Sequence, residues 1–289
     1  MAITAEQVKT LRDKTGAGMM ECKNALTESQ GDFEQAVTIL RKRGLAQAAK
    51  RAGRATSEGL VGVKITPDGK SGVIAEVNCE SDFVARTDAF QALVADITDA
   101  LLAAGPSSDP QALVAPESAI GQTLTATIHK TGENMAVSRA SRLDTDGGVL
   151  GTYTHMGGKI GVLVEITGVP AGQETSEAFT TLVKEVAMHV AAAAPQFATR
   201  AQVPADLVEK EKAVYRGQME GSGKPPQVID KIVEGKLGSF YSQVVLPDQP
   251  TIRDPKVTVA QMLTTTAKTL GATALAVPRF VRFKVGEGA

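Results

Sequence analysis

Few residues of this chain have types and spacings that invite chemistry. Gly221-Ser222-Gly223-Lys224 ends like a phosphate-binding loop, but such a loop needs Ser or Thr after the lysine and a strand before it. Here Pro225 follows and a helical pattern precedes, so the segment reads as the turn of a helical hairpin. Cys79 could serve as a nucleophile, yet it shares the parity of Val73, Ala75 and Val77, which puts it on an apolar strand face as a small buried hydrophobe. The three histidines, His129, His155 and His189, are scattered without metal-ligand spacing, and His189 lies in an Ala- and Val-rich helix as a core residue would. Carboxylates from Asp206 to Glu211 fall on a helix face that solvent should cover. No catalytic constellation emerges, so neither an enzyme activity nor a cofactor or metal is expected.

Two features remain. The stretch from Arg41 to Arg54 carries Arg41, Lys42, Arg43, Lys50, Arg51 and Arg54 without one acid. Nucleic-acid contact would call for interleaved aromatic rings on which bases stack, and these are missing, so the stretch reads as a solvated, basic helical linker. Phe83 follows a strand within Glu80-Ser81-Asp82-Phe83-Val84-Ala85-Arg86, a polar loop that does not call for a large aromatic. Two readings are open: the ring tucks inward to close its own hairpin, or it waits exposed for a partner's pocket.

The elements that would position these residues follow from periodicity. Thr4 and Gln7 form a capping-box pair ahead of Val8 and Leu11; Gly18 restarts a helix through Met19, Cys22 and Leu26; Asp32 and Gln35 cap a third that buries Phe33, Val37 and Leu40 before Gly44. The period then changes. Val61, Val63 and Ile65 alternate, Pro67-Asp68-Gly69 turns the chain, and Val73 to Cys79 alternate again, which predicts a hairpin; Phe90, Leu93, Ile97 and Leu101 then share one helix face. Gly105 to Pro116 reads as a loop, Ile120, Leu124 and Ile128 as a helix ending near Gly132, and Met135 to Leu143 as a strand. From Gly147 the order hairpin, then helix, returns: Val149 to Thr154, a turn at His155-Met156-Gly157-Gly158, Ile160 to Val169, and Phe179, Leu182, Val186 and Val190. Residue identities are too different to establish a repeat from the sequence, although the order suggests one. Two helices around the Gly221 turn predict a projecting arm, and a capped helix from Thr258 and a strand from Leu275 to Val285 close the chain.

The whole reads as α+β. Its 289 residues suggest two domains and support a large core, and 43% hydrophobic with 22% charged residues is an ordinary globular composition. A net charge of -1 excludes a surface built throughout to grip nucleic acid. No run reaches the roughly 18 apolar residues of a membrane span and Met1 to Thr10 lacks a signal pattern, so the cytoplasm is expected, and Cys22 and Cys79 read as reduced thiols.

Leu11-Arg12-Asp13-Lys14-Thr15-Gly16-Ala17-Gly18-Met19-Met20 and Glu76-Val77-Asn78-Cys79-Glu80-Ser81-Asp82-Phe83-Val84-Ala85-Arg86 closely resemble the two signature stretches of the bacterial elongation factor Ts family. Gly132-Glu133-Asn134, His155 with Gly161-Val162-Leu163-Val164, Met188-His189-Val190-Ala191-Ala192, Ser222-Gly223-Lys224-Pro225 and Arg282 to Gly288 resemble it further, in family order. The resemblance implies a guanine nucleotide exchange factor for the GTPase elongation factor Tu. It implies a ubiquitin-associated-like three-helix domain with its basic linker at about 1–55, a core of two similar α+β subdomains at about 56–145 and 146–289, and the arm at about 204–241. Arg12, Met19 and Met20 would then hold the GTPase; Ser81, Asp82, Phe83 and Val84 would form the segment that dislodges its magnesium; Thr131, Gly132 and His155 would press on its phosphate loop. A small domain on a flexible linker would raise effective concentration. No direct nucleotide binding, membrane or specific nucleic acid is implied, and the arm's apolar stripe suggests self-association. Ser81 stands where the family commonly has Thr, and some members continue past the position of Ala289 into a C-terminal helix.

Overall fold

The computed structural model describes residues 3–105 and 110–287. Three helices open the chain, α1 Ala5–Thr15, α2 Met19–Glu28 and α3 Phe33–Arg51, each starting where its cap demands: Thr4 and Asp32 accept from the backbone of Gln7 and Gln35. Leu11, Cys22, Ala25, Leu26 and Ala36 make a core of their own. The third helix does not stop at Gly44. Gly44 lies against Thr125, and α3 runs through the basic stretch to Arg51, packed along a helix of the core, so the expected flexible linker is instead the end of a rigid rod.

The chain then builds β1 Glu58–Ile65, β2 Ser71–Cys79, the short α4 Asp82–Ala85, α5 Asp88–Ala103, α6 Pro110–Leu113, α7 Ala119–Thr131 and β3 Met135–Asp144. The expected loop over 105–116 includes α6, and its residues 106–109, like Gly288, lie outside the described residues. A second run follows: β4 Gly148–His155, β5 Ile160–Thr167, α8 Glu177–Ala193, the arm helices α9 Ala205–Gly217 and α10 Pro226–Val244, α11 Val259–Leu270 and β6 Ala276–Lys284. The fold is α+β. Each run makes an antiparallel three-stranded sheet with its second strand central, in the orders β1-β2-β3 and β4-β5-β6.

The two sheets pack face to face, and each carries its own helices on the outside. Val73, Ala75, Val77 and Cys79 of β2 face Phe90, Leu93, Ile97 and Ile128, while Val162, Val164 and Ile166 of β5 face Phe179, Leu182, Val186 and Leu263. The opposite faces meet at Ile74, Leu143, Leu150 and Leu163. A Cβ on Gly72 would come within 2.8 Å of Leu163, and one on Gly161 within 2.4 Å of Val61, so glycine in each central strand lets the sheets approach. Central strands are therefore buried on both sides, which period-two alternation does not announce.

Each half also buries one carboxylate between the sheets. Arg139 Nε donates to Glu76 at 2.6 Å and its Nη2 to Lys284 O at 2.9 Å; Arg279 pairs in the same way with Glu165 and reaches Asp144 O. Glu76 stands opposite Arg139 and Glu165 opposite Arg279, and in both sheets the register shifts just beyond the pair. The arm is rooted rather than appended: Leu237, Phe240 and Val244 are buried at its base with Val203 and Val245.

Candidate functional site

The loop after β2 is fixed from several sides. Ser81 leaves the strand in an extended conformation (φ -124, ψ 154) and caps α4, its hydroxyl accepting from Val84 N at 3.3 Å. Ala85 is buried and Val84 packs partly against the first core, so the short helix is anchored on one side. Phe83 on the other side is 81% exposed, the most open of the large hydrophobic residues that stand out from the surface. That exposure removes the inward-packing reading, since a ring filling its own core would be covered. Asp82 does not stand free: Arg86 Nη2 donates to its carboxylate at 2.7 Å.

A second loop, after α7, holds the first. Gly132 ends α7 in the left-handed region (φ +77), donating to Ile128 O, a backbone that glycine adopts without strain. The chain turns there so that Glu133 meets Ser81: its carboxylate accepts from Ser81 N at 3.0 Å and from Ser81 Oγ at 2.5 Å. Glu80 answers in the opposite direction, accepting from Asn134 N at 2.6 Å, while Arg54 lies 3.3 Å from the same oxygen and its carbonyl accepts from Asn134 Nδ2. Two charge-assisted clasps thus bind the loops to each other and to the exit of α3. Cys79 sits beneath them with its thiol donating to Ser81 O at 3.1 Å. Burial, and then the nearby Glu133 charge, push that thiol up to about 12, so it stays protonated and is no nucleophile.

The remaining sequence-derived residues lie on three other elements. Arg12 is exposed near the end of α1, and Met19 and Met20 are 57% and 64% exposed at the start of α2. Thr131 closes α7, its hydroxyl donating to Thr127 O at 2.8 Å. His155 is exposed at the end of β4, its ring stacked on Tyr153 with Nδ1 3.1 Å from the phenol oxygen. Among the described residues no group of His, Cys, Asp or Glu could hold a metal ion, and no helix is long and apolar enough to cross a membrane. The Gly221-to-Lys224 segment is an exposed turn between α9 and α10. What the loops offer is one exposed aromatic ring and one carboxylate on a clamped platform.

The family model described as elongation factor Ts matches residues 80–287, a span that begins at the first residue of this clamped loop. The proteins named elongation factor Ts from Trichlorobacter lovleyi and Nautilia profundicola are each 45% identical to this chain, over 100% and 99% of it and 94% of their own length. One from Nitratidesulfovibrio vulgaris is 43% identical over all of this chain and 98% of its own. The chain belongs to the elongation factor Ts family.

It is accordingly a translation elongation factor of protein biosynthesis. Of the residues picked from the sequence, the structure brings Ser81, Asp82, Phe83 and Val84 together with Thr131 and Gly132 through Glu133. Met19, Met20 and Arg12 stand on the helical cluster, and His155 on the second sheet. Sequence reasoning missed Glu80, Glu133 and Asn134 as the residues that set the loop, and Met156, 71% exposed in a left-handed conformation (φ 51) beside His155. The signal for Met156 was its place in a Gly-Gly turn; for the two acids it was only their position beside the loop residues.

Proposed function

We propose that this chain is a guanine nucleotide exchange factor for elongation factor Tu. The observation that carries the reading is Phe83, an almost fully exposed ring on a platform clamped by Glu80 and Glu133. An exchange factor needs no nucleotide pocket; it must bind the GTPase better when GDP and magnesium have left, and linkage then makes each ligand weaken the other. A thousandfold coupling requires about 4.1 kcal/mol of differential affinity. Burying one phenylalanine supplies only about 1.5 to 3 kcal/mol, so Phe83 needs companions.

In this reading the segment of Ser81, Asp82, Phe83 and Val84 enters the GTPase and disturbs its magnesium site, with Phe83 filling an apolar pocket and Asp82 leaving Arg86 for a partner donor. Thr131, Gly132 and His155 press on the phosphate loop, and Arg12, Met19 and Met20 hold the GTPase from the helical cluster. The work is done in the cytoplasm, where translation proceeds. Val214 and Val228 keep apolar surface exposed on the arm, on which a second copy of the chain would associate; sedimentation of the arm variant Val214→Glu against wild type tests this. The reading as a whole is tested by the release rate of fluorescent GDP from elongation factor Tu, which micromolar amounts of this protein should accelerate and which would stay unchanged if the reading were wrong.

A further inference from the structure

We infer that His129 is a positioning residue that locks the N-terminal helical cluster onto the core, so that Met19 and Met20 and the Phe83 loop address one partner as a single surface. The inference rests on the exchange-factor reading for its purpose, but its geometry stands alone.

The His129 side chain is 12% exposed and lies between three helices. Its Nδ1 is in hydrogen-bond contact with Gln47 Oε1 on α3 at 2.9 Å, and its Nε2 lies at ion-pair distance from Glu21 Oε2 on α2, 2.8 Å, without hydrogen-bond alignment. Glu21 is committed to the start of that helix as well, because Oε2 also accepts from Gly18 N at 3.2 Å, directly ahead of Met19 and Met20. His129 itself precedes Thr131 and Gly132 by less than one turn of α7. One imidazole therefore touches the helix that presents the methionines, the rod that leads into the core, and the helix whose end clamps the Phe83 loop.

The packing around it gives this node weight. A crevice of about 240 Å³ opens between cluster and core, lined by Val37, Leu40 and Leu45 on one side and Thr125 and Ala126 on the other. That much room leaves part of the interface loosely packed, and close packing is what makes a contact unique. A buried ring hydrogen-bonded to one helix and at ion-pair distance from the carboxylate of another favours a geometry that loose apolar packing leaves open. Holding the two surfaces in register before binding removes the cost of ordering them during it, and that gain falls on affinity rather than on the chemistry-like step at saturation.

The test uses the full chain with spin labels at Asp13→Cys and Asp96→Cys, both exposed, in wild type and in His129→Ala and Glu21→Gln. Glutamine at position 21 still serves the helix cap, so that variant keeps α2 while losing the charge. The label distance should be narrow in wild type and broad in both variants. In GDP-release titrations the half-saturating concentration should rise about fivefold, with the saturated rate within about twofold of wild type, and the double variant should be no worse than either single one. An unchanged distance distribution overturns the lock. Broadening without a change in half-saturation, strictly additive losses, or a collapse of the saturated rate at normal half-saturation overturns the positioning role. Failure of wild type itself to accelerate GDP release overturns the exchange reading, and with it the purpose of the lock, while the label distances still read the docking.

Discussion

The two halves of the core are built on one plan and differ where their central strands end. β2 and β5 each send alternate residues to their own helices, approach the other sheet through a glycine, and bury one glutamate against an arginine of the third strand. Each arginine then reaches the last strand of the other half, so the two pairs staple the sheets reciprocally. Beyond β2 the chain enters α4 with Phe83 exposed and two carboxylate clasps behind it. Beyond β5, residues 168–176 carry no exposed large hydrophobic side chain before α8 begins. The scaffold is built twice and the exposed aromatic loop once, which separates what holds the molecule together from what it presents.

That separation can be broken at the scaffold first. Glu76→Ala removes an acceptor shared by Arg139, Asn78 and Gly286 N, of which Arg139 keeps Lys284 O and Asn78 keeps Glu58 O, and removing one partner of a buried pair should cost about 3 kcal/mol in urea unfolding. Glu165→Ala should cost less, because Arg279 is more open to water than Arg139. Exchange activity per folded molecule should survive in both. If only one of the two variants were destabilised, the plan would not be shared in energy as it is in geometry.

Next comes the platform. Glu133→Ala frees Ser81 N and Oγ in a residue that is only partly buried, so stability should fall by less than about 1 kcal/mol. GDP release should slow about fivefold, since the loop must be ordered during binding. Asp82→Ala should act in the same direction with a smaller effect: its pair with Arg86 is a solvent-exposed i,i+4 contact and contributes little to the fold. A large loss of stability in either variant would merge platform with scaffold.

The smallest effect is a pH dependence confined to the second half. His189 is buried with Nε2 2.8 Å from Gln249 Oε1 and Nδ1 unpartnered, and burial holds its pKa below the usual 6.5 although the hydrogen bond to Gln249 opposes this. The unfolded chain therefore takes up the proton first. Stability from this group is fully present above about pH 6.5 and declines as pH falls toward the lowered folded value. The protection factors of α8 amides, with the intrinsic pH dependence of exchange divided out, should fall between pH 6.5 and 5 while those of α5, on the first half, hold steady; His189→Gln should flatten the difference.

Much of this was legible in the sequence because local rules and tertiary packing agree there. The caps of α1, α3 and α11, the glycine at the end of α7 and the hairpin strands lie where Thr4, Asp32, Thr258, Gly132 and the alternating valines place them. Gly44 misled, since a glycine inside a helix costs only about 1 kcal/mol, which the packing of α3 along α7 outweighs. The staples stayed hidden because alternation puts Glu76 only on the face opposite the apolar row of β2 and says nothing of what covers it; Ile74 on that same face was the signal that another sheet does. The clasp by Glu133 was hidden for a different reason: residues 52 positions apart meet through folding alone.

Phe83 tests the account most directly. Wild type and Phe83→Ala would be compared in urea unfolding and in stopped-flow release of fluorescent GDP from elongation factor Tu. The account expects stability within about 0.5 kcal/mol of wild type and release slowed at least about tenfold, the measure of a ring that is exposed alone and buried in the complex. A variant destabilised by about 3 kcal/mol or more, with normal release per folded molecule, would contradict it and make the ring part of the scaffold.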